Sequence, residues 1–251
     1  FTSANCAMSE ITKQAGLECI LYYASGGLLA GAGYHIIAAC KNRAWTHQNL
    51  IIEDKLNTLN VFRYVMNCLV YFSVITMCQV TMFFANRSSI NVGVIITIWS
   101  INPFFNSIAD FYFYGERMYY HHFIGLVSIL LCSVAICMKD FLSTEAETKI
   151  AEYPSWIPVM FGLVAPLSFT AFAMLTKNLT SERVGFDATI LSFSSQFSIN
   201  SILIIVAVIY WVKVQFSWRM FIYGLLGSFL DTLGMAAMAE GTLPLWVKSP
   251  A

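Results

Sequence analysis

The stretch Ile90–Tyr114 reads INVGVIITIWSINPFFNSIADFYFY, and Asp110 is its one charged residue. A helix needs about 20 mostly apolar residues to cross a bilayer, so this stretch predicts a membrane-spanning segment. Inside the hydrocarbon, every backbone N–H and C=O must be paired within the protein, which favours a helix. The lipid bilayer is therefore the solvent that decides the fold.

The rest of the chain repeats this pattern. Six further stretches qualify or nearly qualify as spans: Leu17–Cys40, Val61–Ala85, Phe123–Phe141, Pro154–Thr176, Asp187–Val212 and Arg219–Ala239. Hydrophobic residues make up 58% of the 251 residues and charged residues 11%, whereas a soluble domain carries about 25% charged residues. The fold class predicted is an all-α multi-pass membrane protein.

Charge and motifs exclude several functions. Lys plus Arg and Asp plus Glu both number 14, so no basic excess indicates a nucleic-acid partner. The sequence contains no HExxH, Walker A or GxSxG motif, and its cysteines lack metal-site spacing. We therefore predict that the protein is not an enzyme and has no cofactor or metal site.

Short matches in the same order indicate an internal repeat. Gly16-Leu17-Glu18 begins one long span and Gly185-Phe186-Asp187 begins another, while Arg63 and Arg219 each lie at the start of a span. A repeat unit of five helices is odd in number, so the two copies must insert with opposite orientation. Inverted repeats are typical of transporters, whose solute site lies near the bilayer midplane.

Asp231 is the first candidate for a functional residue. It lies in the middle of a span, in the sequence GSFLDTLG, with Gly224, Gly227 and Gly234 around it. We expect these glycines, and the GxxxG motif within Ser25–Gly33, to let neighbouring helices pack closely. A lone carboxylate at that depth is costly unless it is paired, protonated or hydrated. Two interpretations stay open: an acid that lines a cavity and binds a cation, a solute or a proton, or a protonated structural acid that donates to a neighbouring helix.

A polar stripe on Ile90–Tyr114 provides further candidates. Asn102, Asn106 and Asp110 have the spacing i, i+4, i+8 and so share one helix face. Pro103 lacks an N–H and leaves one backbone carbonyl without its helical donor. The stripe indicates a cavity wall, although Asp110 is near enough to the end of the span to reach the membrane interface instead.

Other polar residues within spans have a structural alternative. Gln79 is a candidate cavity residue, but it and His35 are single polar residues that also suit helix packing. Ser192, Gln196 and Asn200 repeat the i, i+4, i+8 spacing, and residues of this kind commonly hydrogen bond between membrane helices.

The sequence from Trp99-Ser100-Ile101-Asn102-Pro103 through Tyr114-Gly115-Glu116-Arg117 to Gly125 resembles the fourth and fifth helices of EamA-like members of the drug/metabolite transporter superfamily, and in particular solute carrier family 35. There a Pro lies early in the fourth helix, a Gly-Glu-Arg ends it and a Gly begins the fifth. The Arg often found after the start of the second helix is absent, since Tyr22 and Tyr23 stand there.

The resemblance implies two inverted five-helix EamA-type repeats and alternating access to a central cavity. On that basis about eight of ten helices are present: residues 1–139 form the first repeat with a truncated first helix, 140–153 the connecting loop, and 154–251 the second repeat without its last two helices. We expect a transporter of a small polar solute in an endomembrane or the plasma membrane. A non-transporting membrane subunit or scaffold is the alternative, and a homodimer or a membrane complex stays open.

Overall fold

The computed structural model describes residues 16–40, 50–52, 55–88, 90–115, 119–120, 123–125, 127–128, 131–132, 135, 152–154, 156–213 and 216–241. The apolar segment Phe1–Ser9 lies outside these residues. Most of the predicted span Phe123–Phe141 and of the connecting loop 140–153 lies outside them as well.

Helix dominates the part of the chain that the structure describes. Its α-helices are α1 (Cys19–Cys40), α2 (Thr58–Arg87), α3 (Val92–Trp99), α4 (Asn102–Ala109), α5 (Trp156–Leu179), α6 (Ala188–Lys213) and α7 (Trp218–Gly241). A 3₁₀ turn, Gly16–Glu18, precedes α1, and a π-helical turn, Asp110–Tyr114, follows α4. A short antiparallel hairpin pairs β1 (Ile51–Ile52) with β2 (Lys55–Leu56).

Four segments of the described residues are long and apolar enough to cross a membrane: Thr58–Arg87, Val92–Tyr114, Trp156–Leu179 and Ala188–Lys213. The predicted spans at α1 and α7 are helices of 22 and 24 residues, but they are not among the four. The chain is an all-α membrane protein.

The outer surface of α6 is apolar, as a lipid-facing surface should be. Ile202, Ile205 and Ile209 follow helical spacing and are 62%, 62% and 58% exposed. A stripe of this kind would be a strong aggregation hazard in water. In hydrocarbon it needs no partner, so this surface agrees with the membrane assignment.

The chain divides into two compact units, residues 1–72 with 175–251, and residues 73–174. In the first unit, α1 and α6 run antiparallel. The ring centroids of Tyr22 and Trp211 are 5.3 Å apart at one end of the pair, and His35 Nε2 lies 3.3 Å from Ser194 Oγ towards the other.

Glycines bring α1 and α7 into backbone contact within the first unit. A β-carbon placed on Gly26 would lie only 2.1 Å from the Leu225 carbonyl oxygen, and one on Gly224 would lie 2.5 Å from the Tyr22 carbonyl oxygen. The small residues therefore set the distance between the helices, as they commonly do in membranes. The close-packing role expected for the glycines is confirmed at these positions.

The second unit contains the end of α2 with α3, α4 and α5. The Phe84 and Phe161 rings stack with centroids 5.3 Å apart and planes 6° from parallel, which joins α2 to α5. Arg87, the last residue of α2, forms an exposed ion pair with Glu152. Asn91 caps the start of α3 by accepting a hydrogen bond from the Gly93 N–H at 2.8 Å.

Candidate functional site

The α-helical hydrogen bonding of the span Val92–Tyr114 is interrupted near its middle, within the second unit, although Ser100 and Ile101 keep right-handed helical backbone angles. Helix α3 ends at Trp99, and α4 begins at Asn102 with Pro103 in its first turn. The Ile101 N–H donates to the Ile98 carbonyl at 3.1 Å, a tightened turn in place of the regular helical bond. Pro103 has no N–H to donate to the Trp99 carbonyl. The Trp99 carbonyl therefore lacks its regular helical donor, and it lies at the break.

The polar stripe begins at this break. Asn102 Oδ1 accepts a hydrogen bond from Thr170 Oγ1 of α5 at 3.3 Å. Asn106, one turn further on, has a buried Oδ1 without a hydrogen-bond partner among the described residues. The Trp99 indole Nε1 is also buried and unpartnered within the same described part. The segment around the break thus holds polar atoms whose bonding capacity is unused.

Asp110 begins a second irregularity, the π-helical turn Asp110–Tyr114. The turn ends at Gly115, whose φ of 67° is in the left-handed region that favours glycine. Single π-helical turns are rare and occur often at functional sites. The stripe therefore runs from the proline break to the start of the π turn, where Asp110 is partly buried.

An open pocket of about 520 Å³ lies beside this segment. Its lining is mostly apolar: Phe105, Ile108, Ala109, Tyr112, Phe113, Leu167 and Thr170. Thr170 connects the pocket to the stripe, because it lines the pocket and its hydroxyl lies within hydrogen-bond distance of both the Pro166 carbonyl, at 3.0 Å, and Asn102 Oδ1, at 3.3 Å. Two of the lining side chains, Tyr112 and Phe113, are 77% and 78% exposed, so the pocket is an open apolar groove.

The predicted site residues divide between the two units. Asn102, Asn106, Asp110 and Gln79 belong to residues 73–174, whereas Asp231 belongs to the other unit. Gln79 is 2% exposed on α2, which is the burial expected of a packing residue.

Asp231 is partly buried on α7, and the Tyr23 phenol of α1 interacts with its carboxyl group. Ser228 lies one turn before it on the same helix. A β-carbon placed on Gly27 of α1 would lie 2.0 Å from Asn200 Nδ2 and 3.1 Å from Ser228 Oγ. We call Gly27, Tyr23, Asn200, Ser228 and Asp231 the Gly27 cluster.

Two oxygen atoms of the Gly27 cluster lack donors. Asn200 Oδ1 and Ser228 Oγ are buried without a hydrogen-bond partner among the residues described, and both side chains are 1% exposed. Burying an unbonded polar atom is unfavourable. Native proteins therefore commonly satisfy such atoms with a water molecule or an ion.

Hydrogen bonds elsewhere in the first unit join α2 to α6. The Tyr71 hydroxyl donates to Gln196 Oε1, and Asn67 Nδ2 donates to Ser195 Oγ at 3.0 Å. Gln196 therefore links two helices. This agrees with the interpretation of Ser192, Gln196 and Asn200 as residues that hydrogen bond between membrane helices.

The candidate residues chosen from the sequence do not include the α2 residues of this network. The sequence pattern for them is visible, because one face of α2 carries polar residues at i, i+4, i+7 and i+11, namely Asn60, Tyr64, Asn67 and Tyr71.

Among the described residues, no three His, Cys, Asp or Glu side chains come together in a group that could hold a metal ion. No family model matches the chain, and no curated protein or solved structure is detectably similar to it.

Proposed function

We propose that this chain is a multi-pass transporter that moves a small polar solute across a membrane by alternating access. The interrupted span Val92–Tyr114 is the observation that carries the proposal. Transporters form their solute sites from discontinuous helices near the bilayer midplane, and irregular backbone at that depth is tolerated only where it is buried in protein or lines a water-filled cavity.

Each part of the span has a role in this mechanism. Asn106 Oδ1 and the freed Trp99 carbonyl accept hydrogen bonds from the solute, which takes the place of water at these atoms. The apolar pocket beside Thr170 holds the less polar part of the solute. The turns at Ser100 and Asp110 allow the segment to bend, so that the site opens alternately to each side without covalent chemistry.

We also propose that the architecture is that of two inverted five-helix repeats, in agreement with the resemblance to EamA-like transporters. Two observations support this. Gly16 and Gly185, which the sequence matches to each other, both have left-handed backbones, with φ of 65° and 72°, and each lies just before a helix. Those two helices, α1 and α6, pack antiparallel, as equivalent helices of inverted repeats can.

A non-transporting scaffold is the second candidate, and the packing of α1 against α7 favours it. The backbone contacts at Gly26 and Gly224 are close, so this part of the first unit has little room for a solute. In a scaffold, the Asp231–Tyr23 contact would serve helix packing alone.

Binding and uptake distinguish the two candidates. A thermal-shift screen of purified protein against polar metabolites identifies a ligand, because a ligand that binds the folded state raises the melting temperature. Uptake of that ligand into proteoliposomes should then be saturable. Asn106→Ala should weaken binding by about 0.5–1.5 kcal/mol, the net value of one neutral hydrogen bond, whereas Asn178→Ala, at an exposed position outside the span break, should bind like the wild type.

A ligand that binds but is never taken up would contradict transport. Equal losses of affinity in Asn106→Ala and Asn178→Ala would remove the interrupted span from the site while leaving transport itself possible through other residues.

A further inference from the structure

We propose that the Gly27 cluster is a binding site for a monovalent alkali cation, and sodium is the ion used to test it. The site lies in the first unit, between α1, α6 and α7. It does not depend on the proposed function, since an ion could stabilise either a transporter or a scaffold.

The first argument is the pair of unsatisfied oxygens. Asn200 Nδ2 donates to the Gln196 carbonyl at 2.8 Å, which fixes the orientation of the amide and directs Oδ1 away from that bond. Ser228 Oγ is the second buried oxygen without a hydrogen-bond partner among the described residues. A carbonyl and a hydroxyl oxygen, both fully buried, are ligands that a hard cation takes readily.

The second argument is charge. Asp231 follows Ser228 by three positions on α7, so the two side chains are neighbours on the helix surface. The three helices around the cluster carry no Lys or Arg except Lys213 at the end of α6 and Arg219 at the start of α7. A carboxylate in a low-dielectric region is costly unless it is paired, protonated or hydrated, and a bound cation would pair it.

The ligand set distinguishes among possible occupants. A water molecule could satisfy Asn200 Oδ1 and Ser228 Oγ, but it would leave the carboxylate charge uncompensated. A divalent ion prefers several carboxylates and six or more ligands, whereas the cluster offers one carboxylate. One negative charge and a few neutral oxygens match a monovalent ion.

Gly27 allows two members of the cluster to lie side by side. A β-carbon at position 27 would lie 2.0 Å from Asn200 Nδ2 and 3.1 Å from Ser228 Oγ, so only glycine leaves room for the Asn200 amide beside the Ser228 hydroxyl. Asp231 is partly buried where Asn200 and Ser228 are fully buried.

The test is the melting temperature of the purified protein in sodium chloride and in N-methyl-D-glucamine chloride at equal ionic strength. Saturating sodium should raise the wild-type value by on the order of 5 °C, since a ligand that binds the folded state stabilises it by mass action. Ser228→Ala and Asp231→Asn should each lose most of the sodium response. Equilibrium binding of radioactive sodium should show one site per chain in the wild type.

Two control variants make the same chemical changes elsewhere. Ser201→Ala removes a hydroxyl that bonds the Phe197 carbonyl at 2.6 Å, and Asp187→Asn alters the carboxylate that caps α6 through the Ile190 N–H. Both should keep the full sodium response.

Three results would overturn the proposal. A wild-type melting temperature that responds to pH and not to sodium would identify a proton at Asp231. A response to neither would indicate an internal water molecule. A sodium response that survives in both Ser228→Ala and Asp231→Asn would place the ion elsewhere. If either variant fails to fold, sodium binding to the other decides the question.

Discussion

Gly26→Ala tests the contact that sets the spacing of α1 and α7. The new β-carbon would lie 2.1 Å from the Leu225 carbonyl oxygen and 2.7 Å from the Phe229 nitrogen, whereas ordinary contact begins at 3.4 Å. Both neighbours are backbone atoms, which cannot rotate away as a side chain can. The two helices must therefore separate by roughly 1 Å, which disrupts close packing along their contact.

The expected change in the free energy of unfolding follows from two opposing effects. Ala in place of Gly in a helix is favourable by up to about 1 kcal/mol. Overpacking costs about 1–3 kcal/mol, and a collision with backbone lies in the upper part of that range. Gly33→Ala is the matched control, because nothing lies within 4 Å of its new β-carbon. We expect Gly26→Ala to be less stable than Gly33→Ala by about 2–3 kcal/mol.

Thermal unfolding of the purified variants measures this difference. For a chain of this size, 1 kcal/mol corresponds to about 2–4 °C, so Gly26→Ala should melt about 5–10 °C below Gly33→Ala. Equal melting temperatures would refute the reasoning, because the close approach of α1 and α7 would then not constrain the fold.

Four further substitutions test other parts of the account by the same measurement. Tyr71→Phe leaves the buried Gln196 oxygen short of a donor and should cost about 1–3 kcal/mol; no loss would argue against the α2–α6 network. Gly16→Ala and Gly185→Ala should each cost about 1–2 kcal/mol, the cost of a left-handed backbone for alanine, and unequal losses would weaken the proposed repeat. Arg87→Ala should leave the melting temperature unchanged, because its ion pair is exposed to solvent, and a clear decrease would contradict that assignment.

Sequence patterns predicted the features that depend on composition and local chemistry. The apolar runs located the long helices of the described residues, four of which are long and apolar enough to cross a membrane, and the glycines predicted the close helix contacts. Pro103 predicted the weakened hydrogen bonding, and the structure places a break between α3 and α4 there. Each of these follows from one segment considered by itself.

Features that depend on neighbouring helices could not be obtained in this way. The π-helical turn at Asp110 differs from an α-helix by one register of hydrogen bonds, and no residue type specifies it. The contact between Tyr23 and Asp231 depends on how α1 and α7 are rotated. The unsatisfied oxygens of Asn200 and Ser228 appear only when three helices are assembled.

The interrupted span predicts a site that water reaches from each side of the membrane in turn, and cysteine accessibility tests this most directly. Asn106→Cys would be made after replacement of the seven native cysteines, with Val206→Cys, on the exposed apolar surface of α6, as the control. In sealed vesicles of known orientation, a membrane-impermeant thiol reagent should modify Cys at position 106 from either side and should not modify the control. Modification from one side only, or from neither, would contradict alternating access at this span.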